Sequence, residues 1–495
     1  MMISTRILPL PLALLAGTAS LSAADAASIE QLQLELQRQH QNHQRQIEAL
    51  ENRIDALQST DSDSSDSVDS RRPTDPIRLR RGNIYMDIGL VGTLAAGGST
   101  AGDIEGELQV GGHDPNQRGF TLQSLEANFA GAVDPYFRGN ANLAFAIDSG
   151  GESFIEIEEA WLETFSLPAN LQLRAGQYLT EFGRINTQHL HSWAFVDAPI
   201  VNARLLGPDG LRNPGVRLSW LAPTPFYSEL FLGIQNSHGE TAASFRSEGG
   251  HHHGDEDEAD EPPFAFRHAE NDRGFRHLDD LLFSPRYALS FDIGDEQVLL
   301  IGASAAFGPN SSGEAGDTVT RIYGADVTWK WKPVDHSGGF PFVALQTEAL
   351  LRRYEAGAFD WDENGDGLVD DGDIEDLDTG APALLDGERL TDYGFYTQLL
   401  YGFRRGWVAG LRFDYADGDR ADYERRNLAF NGEELGRDPA RASRWRLSPN
   451  LTWYPTEFSK LRLQYNYDDR RGIGTDHSVW LQMEFVLGAH AAHTF

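Results

Sequence analysis

Apolar and polar residues alternate along much of this chain. In the segment 479–487 every odd position is apolar, and Gln482 and Glu484 lie between them. An alternation of period two predicts a β-strand with one apolar face and one polar face. Such segments recur to the end of the chain and predict about sixteen strands, near 84–96, 119–131, 135–148, 153–166, 169–181, 212–222, 225–236, 283–294, 297–308, 318–333, 340–355, 389–403, 406–416, 441–454, 458–469 and 476–495.

The polar face of these strands is often charged. Arg462 and Asp468 belong to the polar row of one strand, and Asp326 and Lys330 belong to that of another. Strands with one lipid-compatible face and one charged face are typical of an antiparallel transmembrane β-barrel whose interior holds water. We expect five tryptophans in the interfacial girdles, and the alternative is a soluble sandwich with tryptophans in its core: Trp329, Trp331, Trp407, Trp453 and Trp480.

The connections between the predicted strands support a barrel in the outer membrane of a Gram-negative bacterium. Short connections, such as 134–135, 404–405 and 455–457, all fall on the side that holds both ends of the barrel. Most long connections fall on the other side, as short periplasmic turns and long outer loops require. The domain 78–495 is therefore predicted to be all-β.

Three segments precede the predicted barrel. Residues 1–26 combine a basic residue, a short apolar run and a small-residue cleavage site, which predicts a signal peptide. Residues 28–59 carry apolar residues at heptad spacing and predict an N-terminal coiled-coil helix in the periplasm, with a single amphipathic helix as the alternative. The acidic, serine-rich residues 60–77 predict a flexible linker.

Composition narrows the possible partners. The formal net charge is −34, which argues against nucleic acid and favours cations. The chain has no cysteine, which fits export to an oxidising compartment. We find neither a nucleophile elbow nor a phosphate-binding glycine loop, so we do not expect an enzyme. A hydrolase assembled inside the barrel is the alternative.

The segment 174–183, Arg-Ala-Gly-Gln-Tyr-Leu-Thr-Glu-Phe-Gly, resembles the phosphate-selective porin O/P-like family. The segments 134–139 and 455–459 look like related barrels that also carry a coiled coil, some of which are labelled metal-regulated or siderophore receptors. The resemblance implies a sixteen-stranded trimeric barrel. It also implies that residues 184–211 fold into the lumen and narrow it.

This lumenal segment supplies the candidate constriction residues Arg184, His189, His191, Asp197, Arg204 and Asp209. Structural ion pairing is the alternative role for its arginines. The outer loops contain no lysine, which departs from the pattern of phosphate-selective relatives. We therefore expect a weakly selective pore.

Residues 362–373 have the spacing of a calcium-binding loop. Oxygen ligands are expected at positions one, three, five, seven, nine and twelve, with glycine at position six for the turn. The corresponding ligands are Asp362, Asn364, Asp366, Leu368 through its carbonyl, Asp370 and Asp373. Aspartate at position twelve resembles dockerin-type loops and favours weak binding of structural calcium. A solvated acidic loop is the alternative.

A histidine tract in the connection 237–282 offers imidazole beside carboxylate. This combination suits zinc, and a hydrophilic loop without a folded site is the alternative. The candidate ligands are His251, His252, His253, Asp255 and Asp257. His189 and His191 would continue a path for metal into the lumen.

These patterns favour a passive outer-membrane channel for small hydrophilic solutes, with outer loops that bind cations. The expected partners are outer-membrane lipid and further copies of the chain. Uptake of zinc or a metal chelate such as a siderophore is one competing function. A structural tether that contacts the cell wall through the coiled coil is another.

Overall fold

A computed structural model describes residues 77–488, except residues 82–83, 107–109, 133, 149, 166, 247–274, 314, 363–364 and 371. The predicted signal peptide, the coiled coil and all but the last residue of the linker lie outside the described residues. The histidine tract and Asn364 also lie outside them.

Sixteen antiparallel strands form one closed barrel, as the sequence predicts. The first barrel strand pairs with both the second and the last, which closes the sheet. We number the strands in chain order: β1 Ile84–Ser99, β2 Gly119–Ala132, β3 Phe137–Ile147, β4 Ser153–Thr164, β5 Leu171–Leu179, β6 Arg212–Leu221, β7 Tyr227–Asn236, β8 Leu281–Ile293, β9 Gln297–Pro309, β10 Val319–Trp331, β11 Phe342–Ala356, β12 Glu388–Arg404, β13 Trp407–Gly418, β14 Arg444–Thr456, β15 Ser459–Arg470 and β16 Gly474–Gly488. A lead strand, Ile77–Arg81, pairs with the start of β1.

The two faces of the strands are those predicted from the alternation. Along β16 the odd apolar positions are exposed, and Gln482 and Glu484 are buried. Along β15 the polar row of Arg462, Gln464 and Asn466 points inward and is buried. The expectation for Trp480 is wrong, because it lies on the inward row of β16 and packs with Val196 inside the barrel.

The connections keep the predicted segregation, since the turns at 405–406 and 457–458 lie at the opposite end from the long segments. Two long connections, 357–387 and 419–443, pack together around an apolar cluster. Within the first connection, Phe359–Asp360 pairs with Leu384–Leu385. A second small sheet joins the two connections and contains, in order, Ala381–Pro382, Ile374–Asp376, Leu428–Phe430 and Glu433–Leu435.

Helical structure in the described residues is sparse. One α-helix, α1, spans Ile200–Leu206. Single turns of 3-10 helix occupy Pro168–Asn170, Leu190–Ser192, Glu240–Ala242, Leu278–Asp280 and Tyr423–Arg425. None of the helices in the described part of the chain has the length and apolar character needed to cross a membrane.

Candidate functional site

Residues 180–211, which connect β5 to β6, enter the barrel, and we call them the inner loop. The two ends of this loop meet, because the Thr180 N–H donates to the Leu211 carbonyl at 2.9 Å. The Asn186 side-chain amide donates to the carbonyls of Thr180 and Leu211, at 2.8 and 2.9 Å. The loop therefore leaves the wall and returns to it at one place.

One side of the inner loop packs on the wall formed by β9 to β12 through apolar side chains. Phe182, Val201 and Leu205 are fully buried there. Gly324 on β10 leaves room for the Phe182 side chain, because a Cβ at this position would lie 2.6 Å from the Phe182 ring. Burial of these apolar side chains stabilises the position of the loop inside the barrel, and no charged group takes part in this contact.

The carboxylate of Glu348, on β11, fixes the start of the loop. It accepts hydrogen bonds from the backbone N–H groups of Arg184 and Ile185, at 2.8 and 2.7 Å. The Tyr396 hydroxyl donates to the same carboxylate at 2.6 Å. Backbone donors that would otherwise need water are thus satisfied by the barrel wall.

A second side of the loop faces carboxylates on β2 and β4. Glu158 and Glu159 lie 3.0 and 3.1 Å from the two ring nitrogens of His189. Burial lowers the pKa of His189, but these carboxylates raise it more, so the pKa lies well above its usual value. His191, stacked on His189, lies 2.7 Å from a carboxylate oxygen of Glu126.

A β-bulge makes this arrangement possible. Asn142 of β3 pairs with Glu159, while the next residue, Leu143, pairs with Ile157. The extra residue is Glu158, and the bulge turns two consecutive carboxylates into the lumen. Both side chains are buried as a result.

A third side of the loop is anchored to β13, β14 and β15 by Asp197. Its carboxylate accepts from Arg412 at 2.6 Å and from Arg446 at 3.1 Å. Gln464 and Asn466 also donate to it, at 3.0 and 2.7 Å. Burial raises the pKa of Asp197, but the two arginines lower it more, and the pKa lies below its usual value.

The inner loop therefore contacts the lumenal wall from β2 and β4 on one side to β15 on the other. At this level the charged inward residues are buried against the loop and hydrogen-bonded to it. At this level, loop atoms serve as hydrogen-bonding partners of these wall residues. A cavity of about 50 Å³ lies between the loop and the wall, beside His113, Glu158 and Asp209.

The predicted constriction residues all lie on the inner loop, but they do not form one cluster. His189 and His191 face β4 and β2, whereas Asp197 faces the arginines of β13 and β14. Arg204 donates to the Ala442 carbonyl at 2.9 Å, and Asp209 lies near His113.

Several lumenal residues were not singled out from the sequence: His113, Glu126, Glu156, Glu158, Glu159, Glu348, Arg412 and Arg446. Their inward position follows from the strand alternation for most members of this group. Two exceptions are Glu159, which a bulge turns inward, and His113, which lies in the connection 100–118. No period in the sequence marks either residue.

The described part of the predicted calcium loop contains a turn at Gly367. The Gly367 N–H donates to the two carboxylate oxygens of Asp362 at 3.2 and 3.1 Å, and Gly367 has a φ of 75°. Asp366 accepts from the Leu368 N–H, and Asp373 accepts from the Asp370 N–H, both at 2.8 Å. The loop lies in the long connection 357–387.

Comparison with known proteins gives one relative by sequence. A protein of Aquifex aeolicus (strain VF5), described as uncharacterized, is 30% identical over 406 residues, which are 78% of this chain and 73% of that protein. A scan against protein-family models finds no match.

Solved structures similar to this chain include barrel proteins. The outer membrane channel DcaP of Acinetobacter baumannii has a TM-score of 0.49 and 12% identity, over 82% of this chain and 99% of that chain. The anion-selective porin of Comamonas acidovorans has a TM-score of 0.44 and 9% identity, over 82% and 99%. Similarities of this size carry no functional conclusion.

Proposed function

We propose that this chain, which belongs to the same family as the Aquifex aeolicus protein, is an outer-membrane channel for passive passage of small hydrophilic solutes. The observation that carries the proposal is the closed sixteen-stranded barrel with an apolar exterior and a charged interior. A barrel buries no edge strand in lipid, and a charged inner wall suits water and polar solutes. The inner loop is the constriction in this proposal.

Single-channel recording in planar bilayers tests the channel function directly. The purified full chain is expected to give discrete, stable conductance steps, because solute and ions pass beside the inner loop. Heat-modifiable migration in gels serves as the control that the inserted protein is folded. Absence of ion current from folded, inserted protein would contradict the channel and favour the structural tether.

The same recording also tests whether metal ions could be the solute that enters. The carboxylates of Glu126 on β2 and Glu158 on β4 favour cations as the entering solute. A cation preference in reversal-potential measurements is expected from the acidic groups on this wall. An anion preference would contradict metal-ion uptake.

We also propose that residues 362–373 bind structural calcium outside the cell, where millimolar calcium saturates a weak site. Without the ion, the carboxylates of Asp362, Asp366 and Asp370 repel one another. Calcium is expected to protect this loop from protease, and the double substitution Asp362→Ala with Asp366→Ala is expected to abolish that protection. Limited proteolysis with and without a chelator measures the difference.

The matched control for the calcium loop is Asp422→Ala. Asp422 is an exposed acidic residue in the connection 419–443, outside the loop's spacing pattern, and it pairs with Arg425. Its substitution is expected to leave calcium protection unchanged. Equal cleavage near residue 366 in calcium and in chelator would remove the calcium site.

A further inference from the structure

We propose that the barrel interior contains a binding site for one divalent transition-metal ion of the zinc class. The ligands are His113 from the connection 100–118, Glu156 from β4 and Asp209 from the inner loop, and an oxygen of Glu158 on β4 faces the same nitrogen. The site goes beyond the channel function and does not depend on which solute passes.

The distances around His113 are those of ligands that share an ion. Its Nε2 atom lies 3.8 Å from oxygens of Glu156 and Glu158, and 3.9 Å from an oxygen of Asp209. These separations are too long for hydrogen bonds. Two ligands that each lie about 2.0–2.2 Å from a zinc ion are separated by roughly 3.3–4.3 Å.

The His113 ring is oriented for metal binding. Its Nδ1 atom lies 3.0 Å from the Gln123 carbonyl and donates its hydrogen there, so Nε2 is the ring nitrogen directed at the carboxylates. Metal-ligating histidines commonly donate their other ring N–H to a backbone carbonyl in this way. In return, the Gln123 side-chain amide donates to the His113 carbonyl at 2.7 Å.

The Nε2 atom is a buried polar atom with no hydrogen-bond partner in the described part of the chain. The His113 side chain is only 8% exposed, so bulk water does not satisfy this atom. Three carboxylates around one nitrogen favour a cation at this point, and a metal ion bound to Nε2 would supply it. This unpartnered nitrogen is the observation that distinguishes the site from an ordinary acidic cluster.

Two of the carboxylates are held by their other oxygen. Arg212 forms an ion pair with Oε1 of Glu156, while Oε2 faces His113. Oε2 of Glu158 is contacted by Asn142 and His189, while Oε1 faces His113. Each of these groups therefore presents one oriented oxygen to the ion.

The backbone allows Asp209 to reach this point. A Cβ at Gly112 would lie 2.0 Å from Oδ1 of Asp209, so a larger residue would displace the carboxylate. The Gly112 N–H also donates to the Pro208 carbonyl at 3.1 Å. The cavity of about 50 Å³ beside these residues exceeds the volume that one ion or water molecule needs.

The neighbouring His189 and His191 differ from His113. Carboxylates lie within hydrogen-bonding distance of both nitrogens of His189, and Glu126 lies within hydrogen-bonding distance of His191. Hydrogen-bonded ion pairs explain these contacts without a metal. A suitable control residue is His477, an exposed residue of β16 whose Nδ1 atom lies 2.7 Å from the Tyr465 hydroxyl, because it belongs neither to the inner loop nor to the proposed ligand set.

The ligand set combines one imidazole with two carboxylates, and an oxygen of Glu158 lies beside it; this combination suits zinc or a related divalent transition metal. An ion bound there connects three separate parts of the chain: an outer connection, the wall strand β4 and the inner loop. Metal binding therefore holds the end of the inner loop against the wall.

Zinc binding by equilibrium dialysis tests the site. The parent protein is the full chain without residues 251–258, in millimolar calcium, so that neither the histidine tract nor the calcium loop contributes. We expect one zinc ion per chain in the parent and in His477→Gln. We expect at least about tenfold weaker binding in His113→Gln and in Asp209→Asn. Heat-modifiable migration confirms that each variant is folded.

Equal zinc affinity in the parent and in either ligand variant would overturn the site, as would a parent that binds no zinc. X-ray absorption of the zinc-loaded parent gives a second test that needs no substitution. It must show nitrogen and oxygen neighbours with the scattering of one imidazole. A zinc coordination shell without imidazole would overturn the proposed zinc site. The conductance of the metal-free protein tests the channel separately, so the two proposals can fail independently.

Discussion

Replacing residues 187–209 with a short glycine-serine linker is expected to raise the single-channel conductance several-fold. The inner loop contacts the lumenal wall from β2 and β4 to β15, and in the proposed channel it is the constriction, so its removal is expected to widen the passage. A short linker can close the gap, because Thr180 and Leu211 are joined by a backbone hydrogen bond. Single-channel recording of both proteins in one salt solution measures the change.

The barrel itself is expected to survive this replacement. Its sixteen strands are hydrogen-bonded to one another around the whole sheet, independently of the inner loop. Heat-modifiable migration and protease resistance of the strands are the controls. Unchanged conductance in a folded variant would show that the inner loop is not the constriction.

Asp197→Asn is expected to release the inner loop from the arginine wall. The substitution removes a buried charge that pairs with Arg412 and Arg446. Breaking a buried ion pair on one side typically costs about 3–5 kcal/mol. We expect the lower end, about 3 kcal/mol, because Asp414 still pairs with Arg412 and Asp468 with Arg446.

Hydrogen exchange measures this effect where it occurs, at the backbone amides of α1 and its flanking residues. Faster exchange there, with unchanged exchange in the strands, is the expected result. Asp422→Asn is the matched control, since its pair with Arg425 is exposed and contributes about 1 kcal/mol or less. Equal exchange of α1 in Asp197→Asn and in the unsubstituted protein would contradict the anchoring role.

The dependence on pH follows from the lowered pKa of Asp197. A carboxyl whose folded pKa is below its unfolded value stabilises the folded state above the unfolded pKa, and this contribution is lost as the pH falls through the folded pKa. The unfolded value is about 3.9. The anchoring contribution of Asp197 is therefore expected to persist from neutral pH down to about pH 4 and to be lost only in stronger acid.

Much of the barrel could be predicted from the sequence. All sixteen strands lie where the alternation places them, and their ends differ from the predicted ends by at most three residues, except that the predicted end of the last strand, residue 495, lies outside the described residues. Trp480 shows that residue type alone does not determine on which side of the barrel wall a side chain lies. Its row in β16 points inward, and the expectation of an interfacial position for tryptophan gave the wrong side.

The candidate site was predicted only in part. The loop residues His189, His191, Asp197 and Asp209 were singled out, but their partners were not. Glu158 and Glu159 are consecutive, and a regular strand would turn one of them towards lipid. Only the pairing with β3 shows the bulge that turns both inward.

The sequence by itself determined the number of strands, their faces and the side on which each connection lies. These properties follow from a local period of two residues, which each segment carries without reference to the others. The tertiary structure decided the chemistry of the interior. His113, Glu156 and Asp209 are far apart in the sequence, and they meet because barrel closure and the inward path of the inner loop bring them to one wall.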